Sequence, residues 1–158
     1  MKSNPGAEAL WPYSLDLYAR PGVAPLLLEL QDAHGQCVPF LLWSLWLTAS
    51  GRRVDAGEAA ACAELARAWQ DAAVAPLRQL RRELKTSATA ERVRARIRGG
   101  VKALELEAER MLLQMLEETS PGPAAAPCDR LEALSLAVRA WGGEAPGALL
   151  QRLAALAA

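Results

Sequence analysis

The side chains that most often do chemistry are scarce in this sequence. It holds a single histidine, His34, and three cysteines, Cys37, Cys62 and Cys128. His34-Gly-Gln-Cys37 could offer two ligands to a metal, with Cys62 or Cys128 completing a site if the fold gathered them. No spacing asks for that: there is no C-x-x-C pair, and the odd count suggests neither a zinc ribbon nor a disulfide framework. Reduced thiols in a cytosol are the simpler reading. His34 reads as a helix-end cap, close to the last carbonyls of its helix. The nucleophile elbow G-x-S-x-G, the phosphate loop G-x-x-x-x-G-K-[ST] and the dinucleotide fingerprint G-x-G-x-x-G are absent from the sequence. Glu105, Glu107 and Glu109 alternate along a helical stretch, so they do not all share a face and read as a solvated flank rather than an acid–base pair. With no histidine in the long helices, a carboxylate-bridged diiron site cannot be built. The sequence therefore assigns no catalytic residue, calls for no metal and no cofactor, and reads as a binder rather than an enzyme.

Charge is the stronger signal. The chain is neutral overall, yet from Arg78 to Lys102 there are nine basic residues against two acidic ones. Helical placement puts Arg92 and Arg96 on one flank of an apolar seam and Arg98 and Lys102 on the other, with Arg78, Arg81, Arg82 and Lys85 nearby in sequence. Such a surface could hold an acidic protein partner, or nucleic acid or another polyanion. It lacks interleaved aromatics to stack bases and any helix-turn-helix or zinc module, so a protein partner is favoured.

The elements that must carry these residues are helices. Val38 to Leu47, VPFLLWSLWL, is apolar on eight of its ten positions and so on every side of a helix, which demands burial all round. Gly35 and Gly51 bound it at about a dozen residues, short of the ~18 a bilayer crossing needs, so it reads as the central helix of a bundle and not as a membrane span. Leu10, Trp11, Ser14, Leu15 and Tyr18 predict an amphipathic helix ended by Pro21-Gly22. Val23 to Ala33 predicts a second, stopped by Gly35 in a left-handed cap. Asp55 and Glu58 have capping-box spacing at the head of a longer helix, which Pro76 ends or kinks. The KTSATA segment, 85–90, reads as a turn with Ser87 or Thr89 as the next cap. From about Ala90 to Glu118, Val93, Ile97, Val101, Leu104, Ala108, Met111 and Met115 form an apolar seam, with a kink or break expected at Gly99-Gly100. Leu106 and Leu113 add a second apolar side, to be covered by the last two helices or by a second subunit in a homodimer. A turn-rich connector at about 119–128 precedes two C-terminal helices, and the five tryptophans, Trp11, Trp43, Trp46, Trp69 and Trp141, read as core. Cys37, Ser44 and Thr48 share one arc of the central helix, read as a strip for close helix packing.

Several of these residues occur in a recognisable order. Trp11-x-x-Ser14-Leu15-x-x-Tyr18-x-x-x-Gly22-Val23 is followed by Leu30-Gln31-Asp32-x-x-Gly35 and by Leu41-Leu42-x-x-Leu45-Trp46-Leu47 with Gly51-Arg52. Trp69, Val74-x-Pro76-Leu77-Arg78-x-x-Arg81 and Lys102-x-x-Glu105-Leu106-x-Ala108-Glu109 come later. This order resembles a family of uncharacterised proteobacterial proteins of about this length, through about residue 118. The resemblance implies an intracellular bacterial protein and implies no activity. Polar residues embedded in the signatures, Tyr18, Gln31, Asp32, His34 and Arg52, form a second candidate surface, a small-molecule or enzyme site if loops between the first three helices bring them together.

The expectation is thus an all-α, single-domain bundle of six to eight helices around residues 38–50, cytoplasmic because the start has no apolar signal region. Its function is expected to be that of a non-enzymatic interaction or regulatory module.

Overall fold

A buried helix with no polar face can exist only inside a ring of others, and that requirement organises the computed structural model, which describes residues 9–86, 91–120 and 129–158. The described residues form helices α1 (Leu10–Ala19), α2 (Val23–His34), α3 (Val38–Ala49), α4 (Ala56–Trp69), α5 (Ala75–Thr86), α6 (Glu91–Thr119), α7 (Arg130–Trp141) and α8 (Gly147–Leu156), with a π turn, Gln70–Val74, joining α4 to α5. The chain is an all-α single-domain fold, and among the described residues there is no strand. No described helix is long and apolar enough to cross a membrane.

α3 is the axis. Every residue from Pro39 to Leu47 is buried, Trp43 and Trp46 included. Pro39 sits in its first turn, where a missing N–H costs nothing, and Phe40 stacks on Trp43 at 5.1 Å. The hydroxyls of Ser44 and Thr48 donate to carbonyls of their own helix, Leu41 at 2.8 Å and Leu45 at 2.7 Å. They therefore spend their polarity locally and leave the strip free to pack. α1, α2, α4, α6 and α7 all touch α3, and α8 closes over α2 and α7.

The caps follow the sequence. Gly35 takes the left-handed conformation past α2, and the N–H groups of Gly35 and Gln36 donate back to Gln31 and Leu30. Asp55 accepts from the N–H groups of Gly57 and Glu58. The second half of the expected capping box is diverted: the Glu58 carboxylate accepts instead from Arg52 at 3.1 Å. At Pro76 the helix is interrupted, as expected of an end or a kink: α4 stops at Trp69 and α5 starts at Ala75. The π turn just before it shifts the hydrogen-bond register, and α5 resumes with Pro76 in its first turn.

Three expectations about α6 are corrected. It runs unbroken through Gly99-Gly100, at a cost of roughly 1 kcal/mol per glycine relative to alanine. Its buried line is Val101, Glu105, Ala108, Leu112, Leu113 and Leu116, while Val93, Ile97, Leu104 and Met111 of the expected seam are exposed. The helix turns its Val101, Ala108, Leu112 and Leu116 line to the bundle, and Glu105 on the same line meets two arginines of α5. Finally, α7 and α8 pack on α2, α3 and α4, and α6 is flanked by α1, α3, α4 and α5. The expected turn and cap at Ser87 or Thr89, most of the 119–128 connector, and Cys128 lie outside the described residues.

Candidate functional site

α5 buries no residue of its own. It lies against α6 and the π turn, outboard of the bundle, with Leu77 and Leu84 half-buried and two arginines paired to glutamates of α6. Arg78 Nε donates to Glu105 Oε1 at 3.1 Å, and its Nη2 donates to Glu109 Oε1 at 3.2 Å. Arg81 Nε donates to Glu105 Oε2 at 2.5 Å. The spacing explains the match: Arg78 and Arg81 are one turn apart on α5, as Glu105 and Glu109 are on α6. Burial works to raise the Glu105 pKa, but hydrogen bonds from Arg81 and Arg78 outweigh it and hold the carboxyl below its usual range. The Arg81 pKa is raised in turn by its bond to Glu105. Glu109 goes the other way: burial raises it, the charge of Arg78 opposes, and the neighbouring Glu105 pushes it further up.

Beside this cluster lies a groove of about 800 Å³. α1 contributes Trp11, Ser14, Leu15 and Tyr18; α2 contributes Leu28 and Gln31; the head of α3, with Val38, Pro39 and Leu42, forms the floor. Arg78 and Arg81 of α5 close one side with Gly99, Lys102, Glu105, Leu106, Glu109 and Leu113 of α6. The lining is mostly apolar with its polar groups gathered at the α5–α6 side, the pattern of a binding cleft. α1 is latched across it: the Leu10 N–H donates to Glu117 Oε2 at 3.1 Å, and the Arg110 guanidinium lies 5.3 Å from the centre of the Trp11 ring. Ser14 is buried on this wall, and its hydroxyl has no hydrogen-bond partner among the described residues. Burial, then the charge of Glu109, raises the Tyr18 pKa and keeps the phenol protonated.

The two candidate surfaces read from the sequence are redistributed. Tyr18 and Gln31 from one, and Arg78, Arg81 and Lys102 from the other, meet in the same groove. Leu106 stands on its rim at 54 % exposure, whereas Leu113 is 3 % exposed and belongs to the core, so the two are not one exposed strip. Asp32 pairs with Arg82 at 3.5 Å beside a shallower depression of about 440 Å³ that Gln31 and Arg78 also line. His34 lies at the far end of α2, where its carbonyl accepts from Gln36, and it lines neither hollow. Arg52 is elsewhere, donating to the Ser120 carbonyl at 2.7 Å and to Glu58. Tyr18, Asp32, His34 and Arg52 therefore do not converge on one pocket. The basic run is likewise divided: Arg78 and Arg81 are committed to glutamates, Arg98 is half-buried, and Lys85, Arg92 and Arg96 are exposed. Among the described residues no three His, Cys, Asp or Glu side chains gather closely enough to hold a metal ion. Glu105 and Glu109, read as a solvated flank, are the residues the sequence reading missed. Their signal was the i, i+4 pair on α6 facing the i, i+3 arginine pair on α5.

With this geometry in view, the family model described as Protein of unknown function (DUF2390) matches residues 9–116. The chain is a DUF2390 protein. The DUF2390 span runs from the start of α1 to near the end of α6, so the whole groove, Trp11 to Leu113, falls inside it. α7, which packs on α3 and α4, and α8, which packs on α2 and α7, lie beyond the DUF2390 match. Neither the curated proteins nor the solved structures yield a match.

Proposed function

We propose that this DUF2390 protein is a non-catalytic interaction module whose groove receives an amphipathic helix of a partner protein. One observation carries the reading: four large apolar side chains left exposed by the fold, Leu15, Tyr18, Leu28 and Leu106, come from three different helices and border the same groove. Scattered exposed apolar residues need no explanation, but a contiguous set around a concavity does. A small ligand typically loses roughly 70–90 % of its surface on binding and would leave apolar rims of this kind uncovered. They do suit a helix laid in a groove, with anchors at i, i+3, i+4 and i+7. At the charged side, Arg78 and Arg81 already have carboxylate partners, whereas Lys102 is exposed and without an ion pair among the described residues. An acidic residue on the incoming helix would meet Lys102 and orient it. The polyanion reading retains exposed Lys85, Arg92 and Arg96 and predicts a steep loss of binding with salt. It is the weaker one, since Arg78 and Arg81 of the expected basic surface are neutralised internally by Glu105 and Glu109. The thiols of Cys37 and Cys62 are free and buried, which accords with a reducing compartment such as the cytoplasm.

The test is a photo-crosslinking amino acid at position 15, activated in the source cell, with adducts identified by mass spectrometry. The expected result is a protein adduct whose crosslinked peptide reads as an amphipathic helix, lost when Leu106→Asp is added. A probe at position 104, on the other flank of α6, should not capture that partner. Adducts that survive Leu106→Asp, or none at all, would remove the groove reading.

A further inference from the structure

The flank of α6 that faces away from the groove is also apolar and uncovered, and its layout is unusual. Val93, Ile97, Gly100, Leu104, Glu107 and Met111 are all exposed and follow one another at intervals of four, three, four, three and four. That spacing keeps them on one stripe of the helix. It also reads the same from either end, about a midpoint at Lys102. Along this stripe charge inverts about the same midpoint: exposed Arg96 precedes it on the stripe's border, and exposed Glu107 follows within it.

From this we infer that α6 pairs antiparallel with α6 of a second copy of this chain, crossing near Lys102. A two-fold axis there brings each stripe onto itself. Val93 meets Met111 of the other copy, Ile97 meets Glu107, and Gly100 meets Leu104. At Gly100 a Cβ would touch nothing within 4 Å, so the chain leaves an open notch in the middle of a long helix, where glycine costs stability. Leu104, 58 % exposed and the most exposed of these side chains, fills that notch from the second copy. Arg96 arrives next to Glu107, so each copy supplies one half of two identical ion pairs. No unrelated partner is needed to explain both the spacing and the charge inversion, because the surface is complementary to itself. The groove lies on the opposite flank of α6 and stays open in this pairing, which is independent of the proposed partner site.

The experiment is light scattering and sedimentation equilibrium on the full chain over a range of concentrations, with circular dichroism as the folding control. The wild type is expected at twice the 16.9 kDa of one chain. Leu104→Glu should give a single chain with unchanged helicity and melting. Arg96→Glu and Glu107→Arg should each weaken the dimer roughly tenfold, and the double reversal should restore it, since it re-forms both ion pairs with the signs exchanged. Leu106→Glu, on the groove side, should leave the mass unaltered. A wild type that is one chain at every concentration overturns the inference. So does a dimer indifferent to Leu104→Glu, or a double reversal as weak as either single one.

Discussion

Glu105 is the residue on which the position of α5 turns. Its carboxylate is 7 % exposed and accepts from two guanidinium groups, Arg78 and Arg81. A buried ion pair gives little over an apolar substitute, but removing one partner strands the others. Glu105→Gln is therefore expected to cost about 2–3 kcal/mol, read from urea unfolding, because half-buried Arg81 loses its counter-charge and Arg78 is left with Glu109 alone. The pH dependence follows from the direction of the shift. With a folded pKa below the unfolded one, the stabilisation from Glu105 is complete above the ordinary carboxyl range and is lost as pH falls through the folded value. Glu109, raised on folding, acts with the opposite sign and softens that loss. Acid titration of stability should accordingly be shallower in Glu105→Gln than in the wild type, and equal slopes would show that Glu105 is not the group responsible. At the same scale, burial pushes the Cys37 thiol up to about 12, and the Cys62 thiol is raised by burial too. Neither should react with a thiol reagent in the native protein at mildly alkaline pH, and both should react once it is denatured; labelling read by peptide mapping distinguishes them from Cys128.

Among the elements, α6 shows where sequence reasoning succeeds and where it stops. Gly99 and Gly100 lie in a helix that continues through them, and a Cβ at either would meet nothing. Gly99→Ala should raise stability by about 1 kcal/mol, read from chemical denaturation, by removing backbone freedom from the unfolded chain. If stability falls instead, the helix is not regular there. The existence of α1 to α4, the caps at Gly35 and Asp55, and the burial of α3 were legible because each follows from local periodicity or from one residue's backbone preference. The rotation of α6 was not. Its apolar positions fit a seam through Ile97 and Leu104 at least as well as the buried line through Glu105 and Leu112, and what decides between them is what other helices offer: the packing surfaces of α1, α3 and α4 and the arginines of α5. For the same reason Lys102, Arg78 and Arg81 could be named as a surface, but not as one wall of a groove whose other walls are Leu15 and Leu28. Spacing within a helix shows which residues share a face; it does not say what that face meets.

At the scale of the whole molecule, the family match and the folding unit differ in extent. The match ends at residue 116, yet α3 is covered on one side by α7 and α4 is covered there too. The attachment is specific. Trp141 lies 6.1 Å from Phe40 and donates its indole N–H to the Gly35 carbonyl at 2.9 Å, while Arg67 donates to the Trp141 carbonyl at 2.6 Å. Gln36 donates to Gly142, and Arg20 of α1 closes the end of α8 through the carbonyls of Leu156 and Ala158. Leu134, Leu149, Leu150 and Leu153 are buried in the same interface, and each is worth roughly 1.5–3 kcal/mol in surface removed from water. Lost together they exhaust most of the 5–15 kcal/mol by which a domain is typically stable, and the loss also uncovers Phe40 and neighbouring apolar residues of α3. A chain stopped after Ser120 should therefore fail to form the native core although it contains the full matched span. Its tryptophan emission should shift to the red, its near-ultraviolet dichroism should vanish, and it should bind an apolar dye. Cooperative unfolding and a native emission maximum in the shortened chain would mean that α7 and α8 are an accessory to the bundle, and that the residues matched by the family bury α3 by themselves.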